Sequence, residues 1–303
     1  MDSGGEKPMA LSATQWVQFN ASMAGRVDRL GEWVGLFDGN YQPICELPPL
    51  VSMTAGSDPG QLSEAQFVFP ALTSSGEAHQ VVDALFGVGF AGEEITPLAA
   101  PVAKAFFIVV QRPGGREARR TYRVVFPTMS FVENMPSLVT VEAISANVML
   151  DWWPAPSVPV TWGNVPIQEW DQDAGGMYPD GETYRYAPVE MAQVARGYTV
   201  KGPTREVIGQ LVAESLAAGY RVHPEWGGSA GAHLVVEDAA GGPEVLIQRT
   251  DASVWATISE PATAAGVVVD TNLWWPGDDP VQVRFGDQSW TMAGRPVLIA
   301  GLG

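Results

Sequence analysis

Apolar and polar residues alternate in short runs along most of this chain, and Gly and Pro separate the runs. Alternation with a period of two that stops at turn residues predicts short β-strands joined by tight turns. In the N-terminal half, turn residues at 38–40 and 113–115 predict two hairpins. The other elements predicted there are strands at 66–69, 104–111, 119–126 and 138–144 and a short helix over 77–86. This half is therefore expected to form an antiparallel β-barrel or sandwich.

One amphipathic helix is predicted in the C-terminal half, over residues 203–218. Pro203 suits a first helical position, because its missing N–H has no partner there, and Gly219 suits the position after the last turn. Apolar residues recur every three or four positions from Val207 to Leu216, which gives the helix one face to pack on a sheet. The strands predicted around it are 232–237, 244–249, 253–259, 266–269, 281–285 and 295–300.

These patterns predict a chain that is mainly β with a few helices, a β-rich α+β fold built from two barrel-like or sandwich-like domains. Residues 1–13 read as a flexible tail and residues 14–150 as the first β-rich domain. Residues 151–196 are rich in Trp, Pro and acidic side chains and are predicted to be a connector or an irregular insertion. Residues 197–303 form the second β-rich domain, which carries the helix.

The charge balance changes the list of possible partners. The chain has 17 basic and 34 acidic residues, for a formal net charge of −17. Nucleic-acid backbones and anionic membrane surfaces attract basic proteins, so specific binding to either is disfavoured. No run approaches the roughly 20 apolar residues that span a bilayer, and the first residues do not resemble a signal peptide. We therefore expect synthesis in the cytoplasm and no membrane insertion.

The residues that carry most enzyme chemistry are scarce. The chain has three histidines, without the close spacing of a metal-binding pair, and a single cysteine, Cys45, in apolar surroundings that predict a buried, inert thiol. A GxSxG string occurs at residues 227–231, but this Gly-rich segment precedes a strand instead of opening a helix, as a nucleophile elbow or a phosphate loop would. A GxxxxGK[ST] phosphate loop is absent from the sequence. The sequence therefore predicts a protein that is not an enzyme and needs no cofactor or metal.

One acidic and aromatic cluster supports an alternative function. Glu169, Asp171 and Asp173 surround Trp170. Paired carboxylates cleave glycosidic bonds, and an aromatic ring can stack on a sugar. A module that binds or hydrolyses cell-wall glycans is thus a second hypothesis, against a solvated acidic loop in an acidic chain.

Two Trp-Trp-Pro runs provide the candidate contact residues. They are Trp152 and Trp153, followed by Pro154, and Trp274 and Trp275, followed by Pro276. Trp is enriched at buried contacts between proteins, so these four residues are candidate interface anchors. Burial in the core of the chain itself is the equally weighted alternative.

Three segments resemble the minor tail proteins of siphophages that infect actinobacteria. They begin at Arg29 (RLGEWVGLFDGNYQ), Val139 (VTVEAISANVMLDWWPAP) and Gly197 (GYTVKGPTREVI) and cover residues 29–220 in order, whereas the last 80 residues match more vaguely. These strings form strands and helix starts and contain no catalytic signature. Many members of that family are considerably longer than this chain.

The resemblance implies a structural protein of the virion tail, assembled in the cytoplasm of the bacterial host. It would be a hub at the tail tip or baseplate, forming a homo-oligomeric ring, typically a trimer with two tube-like β domains per chain. A hexameric distal tail protein is the near alternative. The implied partners are other tail proteins, among them the distal tail ring, the tape-measure protein and the tip proteins, with DNA only as transiting cargo.

Overall fold

The computed structural model describes residues 10–56, 59–86, 105–156, 199–223 and 231–303, together with the backbone of four short strands between 166 and 190. The fold is mainly β with a few helices, so the predicted fold class is confirmed. A seven-stranded sheet occupies the N-terminal half and a five-stranded sheet the C-terminal half.

The first element is a helix that the sequence pattern did not predict. Helix α1 (Ala13–Leu30) begins at Ser12, whose hydroxyl accepts from the Gln15 backbone while the Gln15 side chain accepts from the Ser12 backbone. It ends at Gly31, which adopts the left-handed conformation. Only Trp16, Met23 and Val27 are buried, so the apolar stripe is too sparse to stand out in the sequence.

The N-terminal sheet is antiparallel throughout. Its strands are β1 (Trp33–Phe37), β2 (Pro43–Glu46), β3 (Ser52–Ala55), β4 (Glu64–Pro70), β5 (Phe107–Gln111), β6 (Arg119–Val132) and β7 (Met135–Ser145). They lie in the order β2-β1-β5-β6-β7-β4-β3. The hairpins predicted across residues 38–40 and 113–115 are the β1–β2 and β5–β6 pairs, so both are confirmed. At the first turn, the Asp38 carboxylate accepts from the backbone of Asn40 and of Gln42.

Strands β1 and β5 in the middle of this sheet are buried on both faces because they are apolar on both. One face carries Val34, Leu36, Ile108 and Val110 and packs with helix α2 (Gln80–Phe86). The opposite face carries Trp33, Phe37, Phe107 and Val109 and packs with α1 and the C-terminal half in a single hydrophobic core. The segments predicted as domains 14–150 and 197–303 therefore share a core.

The described residues 199–223 and 231–303 form two sheets and the two helices of this half described below. Strand β12 (Thr199–Pro203) pairs with β14 (Glu244–Gln248). The five-stranded sheet has the order β15-β18-β13-β16-β17 and one parallel pair, β13–β18. Its strands are β13 (Leu234–Glu237), β15 (Val269–Trp274), β16 (Gln282–Phe285), β17 (Gln288–Thr291) and β18 (Val297–Leu302). The remaining two elements are the helices α4 (Thr204–Val222) and α5 (Val254–Ala264).

Helix α4 differs in its limits from the helix predicted over 203–218. Pro203 is the residue before the first turn, with an extended ψ of 136°, so the prediction that it starts the helix was wrong. Gly219 is helical, and the helix continues past it to Val222. A side chain at 219 would overlap the indole ring of Trp153. The glycine therefore makes room for that ring and does not end the helix.

Two further predictions in this half were wrong. Residues 253–259, predicted as a strand, form the start of α5, which Ser253 caps by accepting from the backbone of Ala256. The buried residues Val254, Ile258 and Ala262 recur every four positions, a helical spacing that the β-branched composition concealed. The strand predicted at 266–269 begins instead at Val269 and runs to Trp274.

The segment between the halves starts with a short helix, α3 (Val148–Asp151). Beyond it, β8 (Pro166–Trp170) pairs with β11 (Tyr184–Glu190), and β9 (Gln172–Asp173) pairs with β10 (Gly176–Met177). Most of the predicted connector 151–196 otherwise lies outside the described residues. Within the described part of the chain, no helix has both the length and the apolar character needed to cross a membrane.

Candidate interaction surface

The second Trp-Trp-Pro run lies in the interior. Trp275 is fully buried, and its ring stacks on Phe37, with 5.6 Å between ring centroids, and on Trp16, with 6.3 Å. Trp274 is 3% exposed, and its indole N–H donates to the carbonyl oxygen of Asp279 over 3.0 Å. Both residues therefore contribute to the core of the chain itself, as the alternative interpretation of these runs expects.

The first Trp-Trp-Pro run is divided between the interior and the surface. The Trp153 indole N–H donates to the carbonyl oxygen of Ser215 over 2.7 Å, and its ring stacks on Tyr220. Trp152 is 52% exposed, and the guanidinium of Arg123 lies 4.2 Å from its ring centroid. Of the four candidate anchors, Trp152 is the one that offers a large surface to a partner.

A buried ion pair joins the two halves at the start of β6. Arg119 is 1% exposed and donates two hydrogen bonds to the Asp278 carboxylate, of 2.6 and 2.8 Å. It also donates to the Gln111 side chain over 2.8 Å and to the Leu273 carbonyl over 2.6 Å. Its guanidinium lies 3.2 Å from the centroid of the Trp275 ring. We call this group the Arg119 clamp.

Burial and pairing act in opposite directions on the clamp. Burial lowers the pKa of Arg119, because the charged guanidinium loses its water, and Asp278 opposes that shift. An arginine starts from so high a pKa that it stays charged, so its positive charge is held inside the protein by one carboxylate. The clamp is therefore a structural connection that depends on Asp278.

Hydrogen bonds between β15 and the N-terminal half extend this connection. The Thr121 hydroxyl accepts from the Leu273 backbone over 2.9 Å, and the Asn272 side chain accepts from the Thr121 backbone over 3.0 Å. The Asn147 side chain accepts from the Thr271 backbone over 2.7 Å. Each of these hydrogen bonds joins one side chain to one backbone N–H. Together they fix the position of the five-stranded sheet relative to the seven-stranded sheet.

Strands β6 and β7 form a hairpin, and the end of it that is farthest from Arg119 is exposed. Strand β5 covers β6 only from Arg119 to Arg123, and β7 continues alongside β6 to its last residue. We call residues 125–138, the part of the hairpin beyond β5, the arm. Five of its large apolar side chains are half exposed or more: Val125 51%, Phe126 50%, Phe131 61%, Val132 61% and Met135 58%. Met129 and Leu138 are partly buried.

The arm ends in a tight two-residue turn. Glu133 and Asn134 both have positive φ angles, 48° and 63°, as a two-residue turn matched to the twist of a hairpin requires. Glu133 is also the only charged residue between positions 125 and 138 of a chain whose net charge is −17. The arm is thus an apolar, nearly uncharged projection from an acidic protein.

Trp152 and the arm lie close to each other along β6. Arg123, which covers the Trp152 ring, stands two positions before the first residue of the arm. The strand register pairs Arg123 with Ile144 and Phe126 with Glu142, two residues on the same face of β7. Arg123 and Phe126 therefore share a face of the sheet, and Trp152 packs against that face. Together, Trp152 and the arm form the candidate interaction surface.

The structure describes only some of the residues that are candidates for catalysis or for binding a glycan or a metal. The side chains of Glu169, Trp170 and Asp173 and the whole of Asp171 lie outside the described residues, so the glycan hypothesis stays a prediction. Cys45 is partly buried, and burial raises the pKa of its thiol to about 11. Within the described ranges, His, Cys, Asp and Glu do not gather in threes at a distance suited to a metal ion.

Comparison with known proteins adds no relative: neither the family models nor the curated proteins contain a match to this chain.

The sequence pattern did not predict the arm, although a signal for it exists. The predicted strands end at 126 and begin again at 138, and the residues between them carry no prediction. The segment 125–138 has a single charged residue in a chain with 34 acidic and 17 basic residues. A long uncharged run that alternates apolar and small polar residues was the available indication of an extended hairpin.

Proposed function

We propose that this chain is a structural subunit of a bacteriophage tail tip, a hub-type minor tail protein that assembles into a ring and lets DNA pass. The observation that supports it best is the arm: exposed apolar side chains on an open hairpin, beside the half-exposed Trp152. Apolar residues clustered on a projecting element are typical of protein–protein contact sites.

The Arg119 clamp supports the same function from inside the molecule. A subunit of a channel must transmit force without its parts separating. The clamp and the β15 hydrogen bonds connect the seven-stranded and the five-stranded sheets, which share a core. Such a subunit would present its arm in a fixed orientation, which lowers the entropic cost of joining a neighbour.

The overall charge fits a conduit for DNA. A ring of subunits that each carry a formal charge of −17 repels the phosphate backbone, so DNA would pass without adhering. The trimeric hub remains our proposal, and a hexameric distal tail ring is the alternative that agrees with the same surface features.

The direct test is whether the chain is part of a virus particle. Antibodies against the purified chain would be applied to particles produced by the genome that encodes it, with mass spectrometry of the same particles. We expect the chain in the particle proteome and antibody labelling at the tip of the tail. Particles that lack the chain, or labelling on the capsid, would refute the proposal.

A further inference from the structure

Besides the outer edge of β2, two strand edges of the N-terminal sheet are open among the described residues. On the side away from β7, residues 125–132 of β6 pair with no described strand. At the end of the sheet, β3 pairs with β4 and has no described strand on its other side. An open edge presents unpaired N–H and C=O groups, which a strand from another chain can satisfy.

The two open edges lie at the same height in the sheet. Followed across β7 and β4, the register places Phe126 of the arm in one row with Thr54 of β3. Two rows further, it places Thr128 together with Ser52. The part of the sheet made of the arm, β7, β4 and β3 thus ends in a strand edge on either side.

The composition of the two edges favours a second copy of the chain as the partner. Two copies with a net charge of −17 repel each other, except where the surfaces that meet are uncharged. The arm has one charged residue, and residues 47–57, which contain β3, have none. Natural edge strands are usually protected from pairing by Lys or other charges, and neither edge has that protection.

Protection of another kind is present at Pro127 and at two irregularities in the register of β6, between Val124 and Phe126 and between Met129 and Phe131. Pro127 lies on the open edge of β6 and has no N–H to donate. Its neighbours from Thr128 to Val132 keep their backbone groups, so the distal part of the arm can still form a ladder. The exposed Phe131 and Val132 lie in that distal part.

We propose that copies of this chain join head to tail, with the open edge of the arm in one copy pairing with β3 of the next. Because the donor and acceptor edges differ, the contact is heterologous, and repetition of it generates a closed ring if the rotation between copies allows. In a closed ring, the arm edge and the β3 edge of every copy are both paired. This inference rests on the proposed function, since it specifies how the subunits of such a ring meet.

Three variants of the full chain test the two edges separately. Val125→Lys with Val132→Lys blocks the arm, and Ser52→Lys with Thr54→Lys blocks β3. All four positions are exposed, so the monomer is expected to keep its fold. Val17→Lys is the matched control, because Val17 is 67% exposed on α1 and lies on neither edge.

Light scattering across a concentration series provides the measurement. The wild-type chain and Val17→Lys are expected to associate equally, and each blocked variant is expected to associate at least about tenfold more weakly. Thermal unfolding of each variant in the same buffer confirms that it is folded.

A mixture of the two blocked variants gives the decisive result. One retains an intact β3 and the other an intact arm, so a heterologous contact predicts complexes of two chains in the mixture and monomers in each variant alone. A wild-type chain that stays monomeric at every concentration would overturn the inference. So would a β3 variant that assembles like the wild type, which indicates arm-to-arm pairing. Either failure leaves the particle-labelling test of the proposed function unaffected, so the two can fail independently.

Discussion

The two ends of strand β6 lie in opposite environments. At its start, Arg119 is 1% exposed and makes four hydrogen bonds to Gln111, Leu273 and Asp278. At its end, Val132 is 61% exposed. There β7 pairs with one side of β6, and no described strand pairs with the other side. One strand therefore contains both the connection that holds the halves together and the surface we propose for contact between copies. The comparison separates residues that stabilise the fold from residues that serve assembly.

The largest effect on stability is expected at Trp275. Trp152 is the comparison, because these two members of the Trp-Trp-Pro runs differ most in burial. Trp275→Ala removes a ring that packs on Phe37, Trp16 and the Arg119 guanidinium, so it should lower the free energy of unfolding by about 3–5 kcal/mol. Trp152→Ala, at a ring that is 52% exposed, should cost less than about 1 kcal/mol. Denaturant titrations of both variants measure the difference, and equal losses would contradict the division into interior and surface.

Removal of Asp278 tests the clamp directly. In Asp278→Ala the buried Arg119 loses its counter-charge but keeps Gln111 and the Leu273 carbonyl, so we expect a loss of about 3–4 kcal/mol in unfolding free energy. Asp279→Ala is the control. The neighbouring Asp279 is exposed, and the hydrogen bond that it accepts from the Trp274 indole goes to its backbone oxygen. A loss below about 1 kcal/mol at 278 would show that the clamp contributes little to stability.

The hairpins and the Arg119 clamp differ in how far they could be predicted from the sequence. The β1–β2 and β5–β6 hairpins could be predicted because their signals are local: a turn such as Asp38-Gly39-Asn40 lies between two apolar runs. The Arg119 clamp could not, because its two charged partners are 159 positions apart and nothing local in either segment indicates the other.

Helices α1 and α5 were missed for a different physical reason. Tertiary packing supplies much of the stability of a helix in a protein, so a weak local pattern can still be helical. Helix α1 has only three buried side chains, and α5 starts with β-branched and aromatic residues that favour a strand when read alone. In both helices the apolar periodicity is weak. The local signal for the start of each helix is its capping serine, Ser12 or Ser253.

A pair of helical glycines tests whether Trp153 is an internal support. Gly219→Ala places a methyl group against the Trp153 ring and should destabilise the fold by about 1–3 kcal/mol. Gly25→Ala in α1 has no atom within 4 Å of the new methyl group, so it should stabilise by about 0.5–1 kcal/mol through helix propensity. Thermal unfolding of the two variants gives opposite signs if the ring is fixed against α4. If Gly219→Ala also stabilises, the ring is free to move away.

The smallest effect on stability is expected at the arm. Val132→Lys changes a side chain that is 61% exposed in the folded chain and would be exposed in the unfolded chain as well, so the unfolding free energy of the monomer should stay within about 0.5 kcal/mol of the wild type. Dilute samples are needed, because association would otherwise add to the apparent stability. If the same variant weakens association while its monomer is unchanged, the apolar residues of the arm serve contact between chains. A monomer destabilised by more than about 1 kcal/mol would instead mean that the arm packs within its own chain, and β6 would then have a structural role along its whole length.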